Sequence, residues 1–313
     1  MNNYENFIPE ISLICPCFNE EEVIEIFMKE INAVLNEINK SFEIIFINDG
    51  SYDHTLNALL AAKKNYKNVR IINLSRNFGK EAALTAGLDN AKGEVIIPID
   101  VDLQDPPELI KDFIFQWENG YDVVLAKRAD RSTDSFFKRL SAKLFYRFHN
   151  KISKVPIPEN VGDYRLITRK VLTALQQLPE SQRFMKGLFA WVGFKTITVK
   201  YTRDARRAGN TSFNGWKLWN LALEGITSFG TLPLRIWFYI GVIISFLGFI
   251  YGTLIILKTI FLGIDVPGYA STMTTILFLG GIQLIGIGVL GEYIGRIYME
   301  SKRRPTYIIE AEY

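Results

Sequence analysis

Between Glu94 and Glu108 the chain reads EVIIPIDVDLQDPPE, an apolar run that closes on Asp100, Asp102, Gln104 and Asp105. Strand periodicity puts Asp100 and Asp102 on one face of a strand end, where two carboxylates repel unless a cation lies between them. Hard oxygen donors of this kind suit Mg²⁺ or Mn²⁺, which take one or two carboxylates and leave other positions to water and phosphate oxygens. The alternative is that these acids only start the next helix. Asp105, Pro106 and Glu108 read as N-cap, first helical residue and the distant member of a capping box.

Further polar clusters follow other apolar runs. Pro16, Cys17, Phe18, Asn19 and Glu20 come after the first, and Asn48, Asp49, Gly50, Ser51, Tyr52 and Asp53 after the second. An Asp at such an edge can accept from a base N–H or a ribose hydroxyl, although Ser51 and Asp53 also read as helix caps. Arg76 and Lys80 flank Gly79 at a helix start, a pattern that suits a phosphate. Arg128, Arg131, Arg203, Arg206 and Arg207 add cations at later strand ends, and so many cations at such places point to an anionic ligand.

The elements that must carry these residues are short β-branched runs beginning near Ile11, Phe42, Val69, Glu94 and Asp122. Helical patterns separate them, the clearest from Glu20 to Asn39 with Ile24, Phe27, Ile31, Val34, Leu35 and Ile38 on one face. Strands alternating with helices predict a mostly parallel α/β sheet, which binds ligands at the carboxyl ends of its strands. Pro98 is awkward in a central strand because it cannot donate to the ladder.

Composition sets the wider frame. Charged residues make up 22% of the chain, yet none occurs from Trp237 to Leu257 or from Ser271 to Leu290. Each stretch spans roughly 30 Å as a helix, a bilayer's hydrocarbon thickness. Two transmembrane helices are expected. Arg235, Arg296, Lys302, Arg303 and Arg304 lie on their outer flanks, so the positive-inside rule places both termini and the whole large N-terminal domain in the cytoplasm. A net charge of +3 gives no case for nucleic acid. Cys15 and Cys17 read as apolar fillers rather than a disulfide or metal pair. Residues 136–152 form a basic amphipathic pattern suited to anionic headgroups, and 214–229 a second interfacial one. The reading divides the chain into an α/β domain at 1–210, an interfacial segment at 211–232, a two-helix membrane domain at 233–295 and a cytoplasmic tail at 296–313. Within the tail, TYIIEAEY reads as a strand that would extend an edge of this sheet or of a neighbour's, which predicts a homo-oligomer.

Six motifs in order carry a resemblance: Pro-Cys-Phe-Asn-Glu, Asn-Asp-Gly-Ser, Arg-Asn-Phe-Gly-Lys, Asp-Val-Asp-Leu-Gln-Asp-Pro-Pro, Gly-Asp-Tyr-Arg and Arg-Arg-Ala-Gly-Asn-Thr-Ser-Phe. With two membrane helices after them, the chain resembles the family 2 glycosyltransferases of GT-A fold, and among these the polyprenyl-phosphate (bactoprenol) glucosyltransferases and dolichol-phosphate mannose synthases. The resemblance implies that Pro16, Phe18, Glu20 and Asp49 hold the nucleoside, and the residue pattern described above adds Arg76 and Lys80 to the nucleotide-sugar site. It implies that Asp100, Asp102 and Gln104 serve the metal and diphosphate, and that Arg128, Arg131, Ser135 and Arg206 contact phosphate groups. Two departures stand out: Asn48-Asp49 replaces a frequent Asp-Asp, and Phe18 stands where Tyr is common.

The implied reaction moves a hexose, with UDP-glucose as the expected donor, to polyprenyl phosphate with inversion. GDP-mannose and modified pentoses are the alternative donors. Asp163 is a candidate for orienting the acceptor or a cation, and equally for pairing with Arg165. A processive polysaccharide synthase would need more membrane helices and a Gln-x-x-Arg-Trp motif, which Gln182-Arg183-Phe184 does not match. A non-catalytic nucleotide-sugar sensor is the remaining rival.

Overall fold

The structure is a computed structural model and describes residues 8–129, 158, 161–180, 183, 185–202, 232–262 and 268–313. The basic segment 136–152, the interfacial segment 211–232 up to the start of the first long helix, Arg131, Ser135 and Arg206 lie outside the described residues.

Two compact units emerge. The first holds the sheet and includes 304–313; the second holds the long apolar helices. In the first, β1 (Ile11–Cys17), β2 (Phe42–Asn48), β3 (Val69–Leu74) and β4 (Val95–Pro98) alternate with α1 (Ile24–Ile38), α2 (Thr55–Asn65) and α3 (Lys80–Asn90). Then come α4 (Leu109–Glu118), β5 (Val123–Arg128), β6 (Val161–Thr168), α5 (Arg169–Gln176), α6 (Met185–Trp191) and β7 (Thr196–Tyr201). The tail forms β8 (Ile309–Glu312). The eight strands make one sheet in the order β7-β5-β6-β4-β1-β2-β3-β8. Its centre is parallel, while β6 and β8 run antiparallel to their neighbours. β1 and β2 are buried on both faces, as continuous apolar runs in a covered parallel sheet should be.

One face packs Leu13, Cys15, Phe46 and Ile71 against Phe27, Ile31 and Leu35 of α1, Leu59 of α2 and Phe113 of α4. Ile14 and Ile47 point to the other face, toward α3. There Gly87 lets helix and sheet approach closely, because a Cβ at that position would collide with the Ile14 and Ile47 side chains. Cys15 and Cys17 are buried free thiols, and burial raises both above the ordinary thiol range.

Pro98 finds a physical account here. Val95 and Ile99 donate their N–H groups to Glu10 and Ile14, toward β1, so the intervening even-numbered positions face β6. β6 pairs with β4 only at Val95 and Ile96, so the missing N–H of Pro98 removes no ladder bond.

Two expectations need correction. β4 ends at Pro98, so Asp100 and Asp102 sit in the turn beyond it rather than on a strand face. Leu103, between them and the helix, has φ 55°, which bends the chain away from a strand path. Next, α4 starts at Leu109 with no side-chain cap; Asp105 instead accepts a hydrogen bond from the Tyr201 hydroxyl, and Pro106 and Pro107 carbonyls accept from Leu109 and Ile110. The tail strand extends an edge of this sheet, one of the two placements expected of it, by pairing with β3 of its own chain.

The second unit contains α7 (Leu232–Leu262) and α8 (Tyr269–Ser301). Ile236–Ile255 and Phe278–Ser301 are long and apolar enough to cross a membrane, with mean hydropathy 2.1 and 1.4. They leave large side chains such as Phe238, Phe249 and Leu284 exposed, unlike helices of a soluble core. Gly286 provides the small surface against which Trp237 packs.

Candidate active site

Among the described residues, the loops that follow β1, β2, β3 and β4 meet at one edge, because parallel strands put their carboxyl ends together. The first contact joins the β2 and β3 loops. Asp49 is buried, and its two carboxylate oxygens accept from the backbone N–H groups of Phe78 at 2.7 Å and Gly79 at 2.9 Å. Gly50 at φ +62° sits where any Cβ would strike the backbone of Arg76 and Asn77. The donors at the start of α3 that seemed fit for a phosphate therefore receive the protein's own carboxylate. Asp49 ties two loops together, and burial raises its pKa despite both N–H bonds.

The mouth beside this junction belongs to the β1 loop. Asn19 donates to the Ser51 hydroxyl at 3.0 Å, Tyr52 donates to the Asn19 side chain at 2.9 Å, and Glu20 donates to Thr55 at 2.8 Å. Phe18 stays 40% exposed with its ring edge-on to Tyr52. An exposed aromatic held on a braced loop offers a flat apolar surface to a base. Arg76 lies over the Phe78 ring and donates to the Asn77 carbonyl, so it braces its own loop.

The centre of the site is an ionic bridge. Lys80 Nζ lies 2.7 Å from Asp100 Oδ2 and 3.5 Å from Asp163 Oδ2. β6 makes this possible: running antiparallel to β4, it brings its amino end, Gly162-Asp163, to the carboxyl edge of the parallel strands. Burial pushes the Lys80 ammonium down, but Asp100 and Asp163 outweigh it and hold the pKa above the usual lysine range. Burial pushes Asp163 up, yet Lys80, Lys186 and Arg165 hold its carboxyl low. Asp163 Oδ1 is buried without a hydrogen-bond partner. Arg165 sends its hydrogen bonds to the Gly162 and Asp163 carbonyls and stacks over Phe189, so the side-chain partner of Asp163 is Lys80.

A small open cleft at this point is lined by Pro16, Lys80, Asp100, Asp105, Asp163 and Tyr164, among others. Three carboxylates face one ammonium there, an excess of hard anionic oxygen that fits a divalent cation. Among the described residues no group of three acids or histidines converges as a ready-made cage. The fit is thus to a cation that draws its remaining ligands from diphosphate and water. Asp102 is buried in the turn, where its Oδ1 accepts from Gln104 N–H at 3.2 Å. Arg128 ends β5 beside Tyr201, whose phenol burial and Asp105 push up to about 12.

Two residues were not foreseen. Tyr201 closes β7, whose alternation Thr196, Ile197, Thr198, Val199 was the available signal. Glu81 follows Lys80 on α3; burial, with Asp163 nearby, pushes it up to about 7. A carboxyl raised in the folded state is stabilising to lose: ionisation of the unfolded chain begins near its ordinary value, so stability falls as pH rises from about 4.5 to 7 and is then flat. Glu81→Gln is expected to flatten that slope and to raise stability at pH 7 by roughly 1 to 2 kcal/mol, read as denaturation midpoints across pH.

A braced aromatic mouth, an acid-rich turn and a bridging lysine gather at the carboxyl edge of a parallel sheet, where α/β enzyme domains place their ligands. The chain belongs to glycosyltransferase family 2: residues 12–175 match Glycosyl transferase family 2, and residues 232–297 match the GtrB C-terminal hairpin. It is a glycosyltransferase. It is 57% identical to a prophage bactoprenol glucosyl transferase homolog of Escherichia coli K12, over 96% of this chain and 98% of that one. It is 55% identical to the bactoprenol glucosyl transferase of Shigella phage SfV, over 97% and 99%. Among solved structures, glucosyl-3-phosphoglycerate synthase of Mycobacterium tuberculosis with Mn²⁺, UDP-glucose and phosphoglyceric acid aligns with TM-score 0.48 at 20% identity, over 70% of this chain and 78% of that one.

Proposed function

We propose that this glycosyltransferase moves glucose from UDP-glucose to the phosphate of a polyprenyl lipid at a membrane surface, inverting the anomeric carbon. The observation that carries the reading is the Lys80–Asp100–Asp163 cluster in a family 2 domain joined to two long apolar helices with outward apolar side chains. Support comes from relatives named bactoprenol glucosyl transferase, which match over nearly their whole length.

An oxygen of the lipid phosphate attacks the anomeric carbon, the bond to the diphosphate breaks, and UDP leaves. A phosphate monoester with a second pKa of about 6 is already ionised at neutral pH, so the attack needs no strong base. The chain's task is to bring two anions together. On the donor side, Pro16, Phe18 and Glu20 form the nucleoside mouth on loops that Asp49 and Ser51 hold together. Lys80 supplies positive charge beside the diphosphate and keeps Asp163 ionised. Asp100, Asp102 and Gln104 would hold Mg²⁺ or Mn²⁺, which neutralises charge building on the leaving group. On the acceptor side, Arg128 with Arg131, Ser135 and Arg206 would receive the lipid phosphate. α7 and α8 would anchor the enzyme in the cytoplasmic membrane with the catalytic domain on the cytoplasmic side.

The test is a panel of UDP-glucose, UDP-galactose and GDP-mannose assayed with undecaprenyl phosphate on purified enzyme in detergent. Release of UDP together with lipid-linked glucose, dependent on both the lipid phosphate and a divalent cation, is the expected outcome. Preference for GDP-mannose, or hydrolysis that ignores the acceptor, overturns the assignment.

A further inference from the structure

The tail strand β8 does more than cover an edge. Ile71 and Tyr313 exchange both backbone hydrogen bonds, Ser75 N–H donates to the Ile308 carbonyl at 3.0 Å, and Arg70 pairs with Glu312 at 2.6 Å. The register is broken once. Ile72 faces Glu312 and Asn73 faces Ala311, but Leu74 faces Ile309, so Glu310 is the extra residue of a β-bulge. A bulge re-aims side chains, and here it brings the Glu310 carboxylate onto the face of Asn73.

From Glu310 a line of hydrogen bonds runs inward. Asn73 Nδ2 donates to Glu310 Oε2 at 2.7 Å, Asn48 Nδ2 donates to Asn73 Oδ1 at 2.7 Å, and Ser51 N–H donates to Asn48 Oδ1 at 3.4 Å. Both asparagines are buried. Glu310 Oε2 accepts from the Asn73 amide nitrogen, and a carboxylate can only accept, so it dictates which end of the Asn73 amide faces it. That choice leaves Asn73 Oδ1 toward Asn48, which in turn leaves Asn48 Oδ1 toward the loop. One exposed charge therefore sets the polarity of two buried amides, and a charge-assisted bond is the strong member of such a chain. At the far end Ser51 holds Asn19, beside Phe18 and Glu20.

We infer that Glu310 is a positioning residue for the nucleotide-sugar site, acting through Asn73 and Asn48 on the Asp49–Ser51 loop. The inference rests on the nucleotide-sugar reading above and extends it to a segment outside both matched family regions. The same tail follows α8 directly, so the strand that leaves the apolar hairpin also sets the donor loop.

Steady-state kinetics of the full chain in detergent test this. Glu310→Ala is expected to raise KM for UDP-glucose about tenfold while kcat and KM for undecaprenyl phosphate stay within about twofold. Glu310→Gln, whose amide oxygen can still accept from Asn73 but which no longer carries the charge, is expected to restore the donor KM in part. Glu312→Ala breaks the Arg70 pair on the same strand and is expected to lower the melting temperature without moving the donor KM. An unchanged donor KM in Glu310→Ala, or an equal rise in Glu312→Ala, overturns the inference and leaves β8 as packing alone. Wild-type enzyme that transfers from no nucleotide sugar would instead fail the functional reading. The relay is then read as the loss of UDP affinity in Glu310→Ala by calorimetry, and unchanged affinity overturns it.

Discussion

Asp102→Ala is expected to lower glucosyl transfer on the order of 10³-fold at saturating substrates, because in the proposed mechanism it would remove a ligand of the cation that stabilises the departing diphosphate. The substitution also removes the acceptor of the Gln104 N–H, which braces the turn. Asp102→Asn separates the two effects. It keeps an oxygen for that N–H and loses only the charge, so it should melt like the wild type and transfer as poorly as Asp102→Ala. Titrating Mg²⁺ and Mn²⁺ against both variants, with radiolabelled UDP-glucose and undecaprenyl phosphate, reads the outcome. Transfer at the wild-type rate without metal would remove Asp102 from the site.

Lys80→Met is expected to cost about 10²-fold in transfer, since it strips the positive charge that the proposed mechanism sets beside the diphosphate. It has a second signature. Burial raises the Asp163 carboxyl, and Lys80 is the first of the cations that hold it low. Without that ammonium the carboxyl titrates higher, so the acid limb of the rate–pH profile moves toward neutrality. Lys80→Arg keeps a charge on α3 and should retain the wild-type limb with a smaller loss of rate. A Lys80→Met enzyme whose limb does not move would show that Lys186 and Arg165 suffice for Asp163. The half-exposed lysine argues against reading the bridge as a large stability term, because solvent screens it.

Much of this centre was legible in the chain. The starts of β1 to β5 fall within a residue of the apolar runs that announced them, since a doubly covered strand must be apolar throughout. Parallel order then dictated that the residues after each run share one edge. Individual pairings were less accessible. The motif sets Asp49 at a nucleoside, whereas the partners of its carboxylate in the fold are backbone N–H groups, which every residue carries and no motif displays. The sequence around Asp105 predicts a helix cap; the competing partner is Tyr201, which lies 96 residues away at the end of β7. β6 itself goes unrecognised, because Gly162, Asp163 and Arg165 interrupt its apolar run.

Local order along the chain determined the class of fold, the apolar hairpin and the set of acids and cations that gather at the sheet edge. Each follows from periodicity or from neighbours in sequence. Tertiary structure decided what those groups do to one another. Lys80 meets Asp163 only because β6 returns antiparallel beside β4, and Glu310 reaches Asn73 only because β8 bulges on the far edge. Such contacts join distant segments across a sheet, and strand order and register, which no local pattern encodes, set which segments become neighbours.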